Sequence, residues 1–144
     1  LAEEVFNNRD KEVPYSPSDI ALKLVKFLER CRSEWGFAKN VFIDNADAGT
    51  IIECQKYKRF HGSPYLFQQS WKKTQIIDRI NLQSGWMAHE DFLIVDTCKE
   101  SIRELNLYSW QEKKDEPEDR NDHTINACQY AWLPFKEHIG GVKP

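Results

Sequence analysis

The sequence predicts an α/β domain built on a largely parallel central sheet, and three observations carry that prediction. Its 144 residues are the length of one ordinary domain with one sizeable core. Short apolar runs of strand type alternate with segments whose apolar residues recur at helical spacing. The resulting order is β-α-β-α-β-α-β-α, an acidic loop and a last helix, and such alternation favours parallel pairing. Composition agrees: 40% hydrophobic and 30% charged residues match a soluble globular chain and exclude a disordered, collagen-like or coiled-coil one.

Each element has a local reason. Leu1 to Phe6 is apolar-rich and stops at Asn7-Asn8, a strand ending in a turn. The chain begins abruptly inside this stretch, with no Met or polar leader, and so reads as a fragment of something longer. Ser16-Pro17-Ser18-Asp19 starts a helix, with Ser16 as N-cap, Pro17 at the first helical position and an acid in the first turn. Ile20, Leu24, Phe27, Leu28 and Cys31 are its expected inner face, and Gly36 its stop. Asn40 to Asp44 is a short strand closed by an acid. A second helix is expected from about Ala48 to Phe60 with Ile51, Ile52 and Tyr57 inward, weakened at Gly49 by roughly 1 kcal/mol relative to Ala.

Gly62-Ser63-Pro64 breaks the chain before a strand over Tyr65–Gln68. Thr74 to Leu82 is near-helical, with Gly85 just beyond it. Phe92–Val95 reads as a fourth strand, closed by Asp96. Glu100–Trp110 is helical, with Ile102 and Leu105 on one face. Residues 112–122 hold six acids, three bases and Pro117 with no apolar residue, so 111–122 is a flexible acidic loop. His123 to Trp132 suits a helix lying over a sheet, ended by Pro134, and residues 136–144 form a tail. The expected organisation is a single domain, 1–144, incomplete at its N-terminus.

Several function classes fall away. The apolar runs are four or five residues, too short to span a membrane, and no secretory signal opens the chain. Cys31, Cys54, Cys98 and Cys128 form no C-x-x-C pair and read as reduced, mostly buried thiols of a cytosolic protein. There is no G-x-S-x-G, P-loop or G-x-G-x-x-G motif, and the four His lack zinc spacing.

Three features remain as candidates for chemistry. Asp44 ends a central strand, where open α/β sheets place their ligands, although the same acid, with Asn45 and Asp47, would serve to cap the following helix. Asp96, beside Thr97, has the same two readings. His123 and Asn126 stand i, i+3 on one helix face, suited either to a divalent ion or to a polar face behind an Asp122 N-cap. Lys56, Lys58, Arg59, Lys72, Lys73 and Arg79 are offset by one acid, Asp78, in a chain of net charge −3. Tyr57, Phe60, Tyr65 and Trp71 are interleaved with them. Such a segment attracts a phosphate backbone or is simply a solvated face.

Two of these stretches carry a resemblance. Val41-Phe-Ile-Asp44-Asn45-Ala46-Asp47-Ala48 resembles the D-S-A-E-P segment of the nuclease domain of tailed-bacteriophage large terminase subunits. Asn121-Asp122-His123-Thr-Ile-Asn126-Ala127-Cys-Gln-Tyr130-Ala131 is similar to that family's N-D-H-x-x-D-A-x-R-Y-A helix. The basic stretch, the strand and the helix between them follow the same order, so the resemblance runs from Leu1 to about Trp132.

The resemblance implies a ribonuclease H-like fold, a mixed central sheet flanked by helices on both faces. It implies a DNA endonuclease of little sequence specificity that cuts concatemeric phage DNA during packaging. Two Mg²⁺ or Mn²⁺ ions would serve it, since hard oxygen ligands select such cations. Position by position, Asp44 would be a metal-binding catalytic acid, His123 a participant near the metals, and Asn126 stands in the place of a catalytic Asp. Glu4 matches a frequent acid of the second strand. Lys56, Lys58, Arg59, Lys72 and Lys73 would grip DNA phosphates.

The implied partners are double-stranded DNA, an upstream ATPase domain of the same polypeptide, the portal protein and the small terminase subunit, in the cytoplasm of the bacterial host; no membrane is involved and the protein is not secreted. Two departures matter: the family's first catalytic Asp lies on a strand before Leu1, and Asn126 removes a negative charge from the metal site. Weak or absent cleavage by this chain is therefore expected, and the alternative is a ribonuclease H-like module that binds DNA or protein without cutting.

Overall fold

A computed structural model describes residues 1, 3–5, 12–70, 74–107 and 122–139. The chain is mixed α/β. Its elements are α1 (Pro17–Glu34), β1 (Asn40–Ile43), α2 (Ala48–His61), β2 (Leu66–Gln69), α3 (Ile76–Ala88), α4 (Lys99–Leu107), α5 (His123–Trp132) and a 3₁₀ helix, Leu133–His138. They fall into two compact units. One is Glu4–Ser70; the other is Leu1–Glu3 with Trp71–Pro144.

The Glu4–Ser70 unit holds a two-stranded parallel sheet, with Val41 opposite Phe67 and Ile43 opposite Gln69. Parallel neighbours need a crossover, and α2 supplies it. Val41 and Phe67 are buried with Ala21, Val25 and Leu28 of α1, Cys54 of α2 and Tyr65. The start of α1 follows the sequence closely. Ser16 accepts from the Asp19 amide and the Asp19 carboxylate accepts from the Ser16 amide, a complete capping box. Its buried face differs from expectation: Ala21, Val25 and Leu28 face the core, while Ile20, Leu24, Phe27 and Cys31 are only partly covered. Small Ala21 and β-branched Val25 allow the sheet a closer approach on that stripe than the longer residues beside it. In α2, Thr50, Ile51 and Cys54 are buried, whereas Ile52 is exposed, since it stands about 100° round the helix from Ile51. Gly62, at φ 65°, closes α2 in the left-handed region that glycine adopts without strain.

The other unit is helical among its described residues. Leu1 and Glu3 of this unit, like Glu4 and Val5 of the first, and residues 93–95 form no strand, which corrects the strands read over 1–6 and 92–95 at their described residues. A short apolar run is an ambiguous signal, and here Phe92 packs beside a cluster of Trp86, Cys128, Trp132 and Leu133 while Leu93 is exposed. Trp86 meets Trp132 edge-on, with ring centroids 4.7 Å apart, an arrangement worth about 0.5–1.5 kcal/mol beyond burial. That contact explains why α3 runs through Gly85 to Ala88 instead of stopping near Leu82. Pro134 likewise does not end the structure; it occupies the first turn of the 3₁₀ helix, where its missing N–H costs nothing. The acidic loop 111–121, the end of the helix read over 100–110, and the tail beyond Ile139 lie outside the described residues.

Candidate functional site

In the sheet unit, the carboxyl ends of β1 and β2 gather the polar groups. Asp44 follows Ile43 directly and is partly buried. Its Oδ1 accepts from the Ala46 amide at 2.9 Å, a local turn of the kind Asp favours. The cap of α2 is Asp47, whose Oδ1 accepts from the Thr50 amide at 3.1 Å. The capping reading therefore belongs to Asp47, and Asp44 has a different position and partner. Beside it, Ser70 is buried; its amide donates to Ile43 O at 2.8 Å and its hydroxyl to Asn45 Oδ1 at 3.4 Å. Ser70 was not singled out by sequence, because its 25-residue separation from Asn45 leaves no local signature. Glu4, in the same unit, accepts from Arg30 Nη2 at 2.6 Å, and both side chains are substantially exposed.

In the helical unit, His123 opens α5 and is exposed. Asn126 donates from Nδ2 to Asp122 Oδ2 at 2.9 Å, and Asp122 is 8% exposed. Asp122 holds the N-cap position without capping through its side chain. The cap comes from Glu104: its Oε2 accepts from the Thr124 amide at 2.7 Å, the Thr124 hydroxyl at 2.6 Å and the Ile125 amide at 3.2 Å. The first turn of α4 is held in the same way. Glu3 accepts from the Glu100 and Ser101 amides at 2.8 and 2.9 Å and from the Ser101 hydroxyl. Neither Asp96 nor Thr97 has that role. Anionic oxygens at helix N-termini meet unpaired amides and the positive end of the helix dipole together.

Of the basic segment, Lys56 pairs with Glu53 at 2.7 Å and Lys58 donates to Tyr65 O at 2.8 Å. Arg59 is exposed, Arg79 is buried, and Lys72 and Lys73 lie outside the described residues. Phe60 is 80% exposed and Tyr65 only 1%, so Tyr65 is a core residue and no stacking platform. Its hydroxyl donates to Glu29 Oε1 at 2.6 Å, and burial, then that bond, pushes its pKa up to about 12.

Asp44 and Glu4 thus belong to one unit, His123 and Asn126 to the other. Among the described residues no group of three or more His, Cys, Asp or Glu is placed to hold a metal ion. Asp44 has the hard oxygen donors that Mg²⁺ or Mn²⁺ requires; Asn126 turns its amide nitrogen to Asp122, and nitrogen in an amide does not serve such ions. Among the described residues, no helix is long and apolar enough to cross a membrane. No family model matches the chain, and no curated protein and no solved structure shows significant similarity to it.

Proposed function

We propose that this chain is a ribonuclease H-like, metal-dependent DNA endonuclease domain of the kind found in phage packaging terminases. The observation that supports the reading best is Asp44. It stands at the carboxyl end of a parallel strand, where open α/β sheets hold ligands, and the cap of α2 is made by Asp47. The order of the two quoted motifs supports the same reading. Bound Mg²⁺ or Mn²⁺ would supply an activated water and charge stabilisation for phosphodiester hydrolysis. In this reading Asp44 is a metal-binding acid, His123 and Asn126 stand at the second motif, Glu4 is an accessory acid, and Lys56, Lys58, Arg59, Lys72 and Lys73 contact DNA phosphates. The ATPase domain, portal and small subunit are its partners in the bacterial host cytoplasm.

A second reading, a ribonuclease H-like module that binds DNA or protein without cutting, is favoured by one observation. Asn126 spends its amide on Asp122 where the terminase pattern has a carboxylate. Nicking of supercoiled plasmid in Mn²⁺ and in Mg²⁺ separates the two. The protein would be extended upstream through the further strand that the resemblance calls for, with Asn126 and with Asn126→Asp. Nicking gained with Asn126→Asp supports the nuclease. No nicking from either well-folded protein, with DNA still bound, supports the binding module.

A further inference from the structure

Arg79 stands near the start of α3 and is only 8% exposed. Its Nε is sealed from solvent with no hydrogen-bond partner, while its Nη nitrogens are not sealed. Among the described residues no acceptor takes its guanidinium. Gln83, one turn further along the same buried face, has its Oε1 occupied by Trp132 Nε1 at 3.3 Å. A guanidinium keeps its charge in proteins, and a buried charge is costly until an opposite one compensates it.

The same end of α3 leaves further donors open. Its first helical hydrogen bond runs from the Arg79 amide to Gln75 O at 3.2 Å, so the Ile76, Ile77 and Asp78 amides ahead of it are the helix's orphan donors. Gln75, at the N-cap position, makes no side-chain cap, whereas Ser16, Asp47, Glu3 and Glu104 cap α1, α2, α4 and α5. Helical side chains lean toward the N-terminus, which carries Arg79, the fourth residue of α3, back over this turn. Guanidinium and orphan amides then converge where the helix dipole favours negative charge. Asp78, in the same turn, is exposed, so its opposing charge is screened by water and salt. We propose that Arg79 and the first turn of α3 form a binding site for a phosphate group, held by the Nη nitrogens of Arg79 and the amides of Ile76, Ile77 and Asp78. The inference goes beyond the nuclease reading and does not rest on it, because phosphate held here needs neither Asp44 nor a metal ion.

Inorganic phosphate, at an ionic strength held constant with chloride, is the first probe. Titration of the whole chain, followed by amide and Arg79 Nε NMR shifts, is expected to give saturable changes at Ile76, Ile77, Asp78 and Arg79. Arg79→Lys keeps the charge but loses the planar fork, and should weaken phosphate about tenfold. Arg79→Met keeps an apolar stem and removes the charge. It should abolish the saturable shifts and, in phosphate-free buffer, raise the urea midpoint, because an uncompensated buried charge has gone. A short single-stranded oligonucleotide without a terminal phosphate is the second probe. If it displaces phosphate and moves the same amides, the site serves a nucleic-acid backbone; if phosphate stays bound in its presence, the site serves a phosphate monoester. No saturable change at the α3 amides with either probe, or phosphate binding undiminished in folded Arg79→Met, would overturn the site. A urea midpoint that falls in Arg79→Met would show that the protein neutralises this charge itself, and would overturn it as well.

Discussion

The Glu104 carboxylate binds the first turn of α5 through Thr124, taking both its amide and its hydroxyl, and does so from a site only 2% exposed. The bond ties α4 to α5 across twenty residues of sequence. Because the N-cap residue Asp122 makes no side-chain cap, Glu104 is what satisfies these amides.

Glu104→Ala is accordingly expected to be among the most damaging substitutions in this unit. It would strand two helix amides and a hydroxyl in a buried site, at a cost of about 3 kcal/mol. Glu104→Gln, which keeps an acceptor oxygen, should cost about half as much. Urea unfolding followed by circular dichroism checks both; equal and small losses would show that α5 needs no such cap.

Asn126→Asp replaces a donor to Asp122 with a second carboxylate. Where the amide now bonds Oδ2 at 2.9 Å, two like charges would meet, and a destabilisation of about 2 kcal/mol without divalent ions is expected. On the proposed function, Mn²⁺ should recover most of that loss, whereas it should leave the unsubstituted chain unchanged. Thermal unfolding with Mn²⁺ and with a chelator gives the comparison. Equal loss in both would remove the support for metal binding here.

The buried thiols predict an alkaline limit. Burial pushes Cys54 and Cys128 each up to about 11, whereas an unfolded chain ionises its thiols near pH 8.5. The unfolded state therefore releases protons first as pH rises, and stability is full below about pH 8.5 and declines as pH climbs toward 11. Tyr65, at about 12, extends the decline to higher pH. Urea midpoints measured between pH 7 and 11 should fall over that interval, and a flat profile would contradict the burial of these groups.

Ser16→Ala removes the oxygen that accepts the Asp19 amide and should cost about 1 kcal/mol. Hydrogen exchange of the α1 amides should rise first at its N-terminal turn. An exchange pattern unchanged from residue 18 to 21 would mean that packing alone fixes the helix start.

How much of this was legible follows the range of each interaction. The start of α1 was readable because Ser16, Pro17 and Asp19 are neighbours and carry their own geometry. β1, α2, β2 and α5 were readable from short-range pattern and breakers. The long-range caps were not: Glu3 reaches Ser101 over 98 residues, and no local motif announces it. Gly85 and Pro134 were read as stops because local propensity says so, but the packing of Trp86 on Trp132 outweighs roughly 1 kcal/mol of glycine cost. Phe92–Val95 failed as a strand for a related reason, since pairing depends on a neighbour that a single run cannot reveal. At the candidate site, the place of Asp44 at a strand end was readable from sequence, while the division that gives the α2 cap to Asp47 rather than Asp44 depended on side-chain geometry.

That division provides the most direct measurement. In the upstream-extended protein carrying Asn126→Asp, Mn²⁺-dependent plasmid nicking and thermal stability would be measured for Asp44→Asn and for Asp47→Asn. The account predicts that Asp44→Asn abolishes nicking and leaves the midpoint within a few degrees, while Asp47→Asn, which still caps, leaves both nearly intact. Undiminished nicking in Asp44→Asn, with Asp47→Asn inactive, would contradict the assignment of Asp44 as the metal-binding acid.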